Sequence, residues 1–350
     1  MSNAILIIYT GGTIGMKEDP VTKALFPFDF SQILEEIPEF NKYGYHLDSI
    51  SFDPLIDSSD IDGNCWIKLG ECIEENYDKY DGFVILHGTD TMAYSASALS
   101  FMLKNLSKPV IFTGSQLPIG KLRTDGKENL ISAIEIAAQK REDGRAMVPE
   151  VCLYFENKLY RGNRITKYSA DNFSAFRSPN YPVLADVGIH IKYNTNYINY
   201  PEDWNQKLIV NYLICLDVAL IKIFPGIQRN IIKSVIDTPN LRGIILETYG
   251  SGNAPSASWF LDLLQDAVSK GIIILNISQC QTGSVDMDAY STGITLKNIG
   301  VINGFDSTTE AAITKFYFLI GQHNNNETIK EELKKNICGE ITPPNNNNKK

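Results

Sequence analysis

Histidine is scarce in this chain: only His46, His87, His190 and His323 occur among 350 residues. A proton relay built on several histidines, or a multi-histidine metal site, is poorly supplied, so acid–base work falls to other groups. Paired cysteines are missing as well. Cys65, Cys72, Cys152, Cys215, Cys280 and Cys338 are scattered, and none stands in a C-x-x-C pair. That scatter gives no zinc signature and reads as free thiols in a reducing compartment. No apolar run approaches membrane-spanning length. The first run, Ala4–Tyr9, follows Met1-Ser2-Asn3 without the charged start or cleavage site of a signal peptide. A soluble, cytoplasmic protein without a membrane partner is therefore expected. A basic excess is also lacking: Lys+Arg number 32 against 41 Asp+Glu, a formal net charge of −9. Nucleic-acid and anionic-membrane binders need a basic footprint, so neither partner is expected.

What is present is an ordinary globular composition, 43% hydrophobic and 21% charged, long enough for two domains of moderate size. Short β-rich runs alternate with helical spacing. Ala4–Tyr9, Phe83–Leu86, Pro109–Thr113 and Val151–Phe155 read as strands, with helices from Met92 to about Leu103 and over Asn129–Gln139. After a break, Val218–Ile223, Gly243–Glu247 and Gly271–Ile277 read as strands, with helices over Ser256–Ala267 and Thr308–Ile320. Strands alternating with helices imply parallel sheets covered by helices, an α/β fold. Tyr193–Trp204 is rich in Asn and Tyr and has no period. It reads as a connection, giving domains over 1–192 and 213–342, a linker over 193–212, and a disordered tail over 343–350.

Ligands of open parallel sheets bind beyond the carboxyl ends of the strands, so residues just after strands are examined first. Thr10-Gly11-Gly12-Thr13-Ile14-Gly15 follows the first strand. Its glycine spacing does not meet G-x-G-x-x-G, and a hydroxyl on such a turn is a nucleophile if a base activates it. His87-Gly88-Thr89-Asp90-Thr91-Met92 follows another strand. A helix start there offers N–H groups to a carboxylate, while Asp90 is suited to an adjacent cation. Together they fit a zwitterionic amino acid. Asp57-Ser58-Ser59-Asp60 offers hydroxyls and carboxylates of the same kind. In Arg161-Gly162-Asn163-Arg164-Ile165-Thr166-Lys167, a desolvated Lys167 would serve as base in place of histidine, with the arginines pairing carboxylates in the fold. Each segment alone is equally readable as a turn, a helix cap or a solvated charge.

As a set, these segments resemble the bacterial-type L-asparaginase family, in its cytoplasmic type I branch. Gly114-Ser115-Gln116, Asp125-Gly126 and Ser251-Gly252-Asn253-Ala254-Pro255 match as well, in the same order, from the first strand to about Pro343. The resemblance implies a larger N-terminal and a smaller C-terminal α/β domain. It also implies hydrolysis of L-asparagine to L-aspartate and ammonia without cofactor or metal, in a homodimer or homotetramer. By motif position, Thr13 is the expected nucleophile. Thr89, Asp90 and Lys167 form a second threonine group, Lys167 being the base and Asp90 orienting it. Asp57, Ser58 and Ser59, with Thr89 and Asp90, are expected to hold the amino-acid head group.

Two departures stand out. The family's loop tyrosine is replaced in Ala24-Leu25-Phe26-Pro27 by Leu25. An allosteric asparagine site found in some type I enzymes is matched by Ser278-Gln279-Cys280, but Glu247 stands where that site has an arginine. A glutamate cannot donate a bidentate bond to a carboxylate, so weak or absent activation by asparagine is expected. The competing functions are a related amidase acting on glutamine or a larger amide substrate, a nucleotide-binding protein using Gly11–Gly15, and an amino-acid sensor without turnover.

Overall fold

A computed structural model describes residues 3–18, 25–27 and 44–342. The tail 343–350 lies outside them. The chain divides into two compact units, Met1–Tyr212 and Leu213–Lys350.

The first unit carries strands β1 (Ala4–Tyr9), β2 (Met16–Glu18), β3 (Leu25–Pro27), β4 (His46–Ser51), β5 (Gly82–Leu86), β6 (Leu103–Lys104) and β7 (Val110–Thr113). They continue with β8 (Val151–Phe155), β9 (Lys158–Arg161), β10 (Thr166–Lys167), β11 (Phe176–Arg177), β12 (Ala185–Val187), β13 (Ile191–Tyr193) and β14 (Ile209–Val210). Its helices are α1 (Gly63–Asn76), α2 (Met92–Met102) and α3 (Gly126–Ala138). The main sheet runs β13-β12-β9-β8-β7-β5-β1-β4. Neighbours from β4 to β8 pair in parallel, whereas β9, β12 and β13 join antiparallel. The α/β expectation is met, with the sheet extended by antiparallel strands. The central strands are uninterrupted apolar runs because both of their faces are covered. Ile5, Ile7, Val84, Leu86 and Ile111 pack on Leu130, Ala133, Ile134 and Ala137 of α3.

Residues 193–212, expected as a connection, lie within the first unit. Val210 and Ile209 pair with Leu103 and Lys104, Arg141 sits 4.5 Å from the Tyr200 ring centroid, and Arg145 sits 5.1 Å from that of Trp204. The stretch lacks a period because its aromatic rings are held one by one by arginines, not along a helix or strand face.

The second unit has a parallel sheet β15-β16-β17-β18 made of Val218–Lys222, Gly243–Thr248, Ile273–Ser278 and Ile302–Asn303. Its helices are α4 (Arg229–Ile236), α5 (Ser258–Ser269), α6 (Ser291–Ile299), α7 (Thr309–Gln322) and α8 (Asn326–Leu333). Side chains of β16 alternate: Ile244 and Leu246 meet Phe260 and Leu264, while Ile245 belongs to the cluster with Phe316.

A buried ion pair fastens the end of this unit. Lys315 on α7 is 2.7 Å from Glu340, with the two side chains 3% and 0% exposed. Lys315 Nζ also donates to the Leu333 and Lys335 carbonyls, and the Glu340 carboxylate accepts from Ile337 and Cys338 N–H. Removing one partner strands a buried charge, so Lys315→Met is expected to cost about 3–5 kcal/mol in urea titration. A loss below about 1 kcal/mol would mean that the two amides alone satisfy Glu340.

Candidate active site

Three turns at the carboxyl ends of β1, β4 and β5 meet backbone to backbone. Thr10 N–H and Oγ1 both bond the Leu86 carbonyl, at 3.0 Å each, and Ile56 N–H bonds the Thr10 carbonyl at 2.8 Å. The closeness requires glycine. Gly12 has φ +93°, and a Cβ there would stand 2.5 Å from Gly88 N. A Cβ on Gly88 would stand 2.5 Å from Ser58 Oγ. The residues after these glycines, Thr13 and Thr89, are thereby brought side by side with the Ser58 turn. The glycines that resemble a nucleotide loop serve this close approach instead.

Thr13 opens a single 3-10 turn, Thr13–Gly15, and is half-buried. Beneath it, the Tyr9 hydroxyl donates to the Gly12 carbonyl at 3.3 Å, and burial pushes that phenol up to about 12. Asp57 caps the turn Ser58–Asp60. Its Oδ1 accepts from Ser59 N–H at 2.9 Å and Ser59 Oγ at 2.8 Å, and these bonds hold its carboxyl below the usual range. Ser58 is buried, and its carbonyl accepts from Thr91 Oγ1 at 2.6 Å.

Lys167 arrives from β10, far along the chain, where Thr166 and Lys167 pair with Arg177 and Phe176 of β11. Its Nζ donates to Thr89 Oγ1 at 2.8 Å and to Asp90 Oδ1 at 2.6 Å. The lysine side chain is 17% exposed, whereas that of Asp90 is 67% exposed, so Asp90 faces the open side and Lys167 the protein. The structure therefore brings Thr89, Asp90 and Lys167 together.

His87 belongs to the scaffold. A carbonyl only accepts, so its Nδ1–H must donate to Gly88 O, at 2.7 Å. Nε2 then accepts from Ser95 Oγ at 2.9 Å, and Trp66 Nε1 donates to that same oxygen at 3.0 Å. Burial depresses the imidazole to about 4 and keeps it neutral. Arg161 pairs with Glu150 at 2.7 Å, and its guanidinium lies 4.4 Å from the Tyr181 ring centroid. Arg164 is buried, and its guanidinium lies 4.9 Å from the same ring centroid.

Two residues escaped selection as site members. Gln116 accepts from Thr89 Oγ1 at 3.3 Å, and Asp125 holds the Gln116 N–H with both carboxylate oxygens, at 3.1 and 3.0 Å. Their only sequence signal was membership of the matching segments, since nothing about their spacing marks them. Leu25 lies on β3, which pairs antiparallel with β2. Among the described residues, no group of three or more His, Cys, Asp or Glu is placed to hold a metal ion. Among those residues, no helix is long and apolar enough to cross a membrane.

Ser278, Gln279 and Cys280 lie at the end of β17 in the second unit. Ser278 Oγ donates to the Gly250 carbonyl at 2.5 Å and accepts from Cys280 N–H at 2.9 Å. Gln279 Nε2 donates to the Ile223 and Glu247 carbonyls, at 2.6 and 2.9 Å. The buried Glu247 carboxylate is itself engaged, by Thr309 Oγ1 at 2.6 Å and Lys222 Nζ at 3.4 Å.

The chain is thus an α/β protein of two units with a threonine–lysine–aspartate cluster beyond the strand ends of the first, and comparison with known proteins gives its class. The family model for the asparaginase N-terminal domain matches residues 4–199, and the glutaminase/asparaginase C-terminal domain matches residues 217–333. The chain belongs to the asparaginase family and is a hydrolase acting on an amide. L-asparaginase 1 of Escherichia coli K12 is 44% identical over 346 residues, covering 97% of this chain and 98% of that relative. The 60 kDa lysophospholipase of Homo sapiens is 39% identical over 364 residues, covering 97% of this chain and 62% of that protein. The crystal structure of L-asparaginase I from Vibrio cholerae superimposes with a TM-score of 0.89 at 42% identity, covering 98% of this chain and 100% of that one.

Proposed function

We propose that this chain is a cytoplasmic L-asparaginase that hydrolyses L-asparagine to L-aspartate and ammonia through a covalent ester on Thr13, working as a homodimer or homotetramer. The observation that carries this reading is the contact of Lys167 Nζ with both Thr89 Oγ1 and Asp90 Oδ1, beside the Gly12–Thr13 turn.

Asp57, kept ionised by Ser59, suits the substrate's α-ammonium, and Ser58, Ser59, Thr89 and Asp90 complete the head-group site. Thr13 Oγ attacks the side-chain amide carbon, its proton passes on, and protonated nitrogen leaves as ammonia. Water then attacks the aspartyl ester, and the C–O bond to Thr13 breaks to release L-aspartate. Splitting one difficult displacement into two is the advantage of covalent catalysis. In this scheme Lys167, oriented by Asp90, is the base that takes a proton through Thr89. Backbone N–H groups near Thr89 face the developing oxyanion, a kind of donor worth about 3–4 kcal/mol.

The test is ammonia release measured separately with L-asparagine and L-glutamine. Release from asparagine with the higher kcat/KM supports the reading. Release only from glutamine favours the related amidase, and binding of asparagine without release favours a sensor. Because the Glu247 carboxylate is buried against Thr309 and Lys222, velocity against asparagine concentration is expected to be hyperbolic. A sigmoidal curve abolished by substituting Cys280 would contradict this.

A further inference from the structure

We propose that Gln116 is a positioning residue that sets the direction of the Thr89 hydroxyl proton and clamps the hairpin carrying Lys167. The proposal rests on the asparaginase reading above and adds to it a residue with no direct part in bond making. Three contacts converge on this side chain. The carboxamide nitrogen donates to the Asn172 carbonyl at 3.0 Å and to the Ala170 carbonyl at 3.4 Å. Carbonyls accept only, so the nitrogen must face them and Oε1 must face Thr89. Oε1 has no hydrogen to give, so Thr89 Oγ1–H donates to it at 3.3 Å. The other side of Thr89 Oγ1 accepts from Lys167 Nζ at 2.8 Å. In the resting site the hydroxyl therefore turns its lone pair to Lys167 and its proton to Gln116, and it rotates toward Lys167 only when it relays a proton in the proposed scheme.

The same amide ties two pieces of chain together. Ala170 and Asn172 lie in the connection between β10 and β11, and Lys167 ends β10. Backbone bonds from Tyr168 and Ser169 N–H to the Ala175 carbonyl close that connection. Gln116 thus fixes the distance between Thr89 and the base of the hairpin from which Lys167 reaches it. It is held in turn from behind. Its N–H and that of Leu117 bond the Asp125 carboxylate, which also accepts from Asn129 Nδ2 at 3.3 Å. Asn129 lies on α3 and donates to the Gly114 carbonyl at 3.0 Å, so the turn bearing Gln116 is anchored to a core helix.

Gln116→Met keeps length and removes the polar contacts. Misplacing a catalytic contact by about 1 Å costs on the order of 100-fold, so kcat is expected to fall about 10- to 100-fold, while KM for L-asparagine changes less than about threefold. Gln116→Glu separates positioning from packing. A protonated glutamic acid donates to one hairpin carbonyl and accepts from Thr89, whereas the carboxylate faces both carbonyls with no donor. Its activity relative to the unsubstituted enzyme is therefore expected to fall as pH rises from about 4 to 6, through the glutamate range. Hydrogen–deuterium exchange in both variants is expected to quicken over residues 168–175. Unchanged kcat and exchange in Gln116→Met overturn the proposal. So does a flat relative pH profile in Gln116→Glu, which would mark a purely structural part. If the unsubstituted chain releases no ammonia from L-asparagine, the asparaginase reading falls, while the exchange measurement still decides the clamp.

Discussion

Thr13→Ala is expected to abolish turnover of L-asparagine, lowering kcat by at least about 10⁴-fold, the scale on which nucleophile deletions act in other covalent hydrolases. The fold should survive. Thr13 heads a three-residue turn whose approach to the Gly88 turn is set by Gly12 and whose underside is set by Tyr9. Its hydroxyl is a small part of that packing. Circular dichroism and melting temperature close to the unsubstituted values, with ammonia release lost, are the expected pair of results. Substrate should still bind, because Asp57, Ser58 and Ser59 stand on a separate turn capped by the Asp57 carboxylate itself. Retention of more than about a tenth of the activity would remove Thr13 from the role of nucleophile.

Lys167→Met is the second large effect. A positioned general base contributes about 10²–10⁴-fold, and a fall of kcat in that range is expected, measured as ammonia release at saturating asparagine. The lysine's alkyl stem is retained by methionine, so the β10–β11 pairing through Thr166–Arg177 and Lys167–Phe176 should persist. What disappears is the donor to Thr89 Oγ1 and the partner of Asp90. The Asp90 side chain is largely exposed, so losing the ion pair should cost little stability, and solvent-exposed pairs contribute about 0–1 kcal/mol. A variant with near-normal turnover would show that Thr89 is not activated by this lysine. Destabilisation without loss of kcat per folded molecule would place Lys167 in the fold alone.

Of the strands that carry the site, β1 and β5 were legible because they are continuous apolar runs buried on both faces, and the structure bounds β1 at Ala4–Tyr9 as expected. β4, exposed along most of its length, carries no such run and was missed. Short elements were not legible either. β9, β12 and β13 have four residues or fewer, too few for a period to show, so the antiparallel extension of the sheet was missed. Helix α1 was also passed over, although Asp62 caps it through Asn64 and Cys65 N–H, a start signal present in the residues. The segment 193–212 failed for a different reason: its order comes from arginines held over Tyr200 and Trp204, contacts that leave no trace in local sequence.

The candidate site divides in the same way. Thr13, Asp57, Thr89 and Asp90 follow strands or cap short turns, and were chosen on that ground. Lys167 lies 77 positions from Asp90, and only the match of whole segments joined them before the structure did. Gln116 and Asp125 act through amide direction and backbone anchoring, which depend on where two distant carbonyls fall. No rule of spacing encodes that.

The covalent step is tested most directly by acid-quenching the enzyme during turnover of L-asparagine and mapping its peptides by mass spectrometry. One aspartyl group in ester linkage to Thr13 is the expected result. The same group on Thr89, or steady turnover with no ester on either threonine, would contradict it.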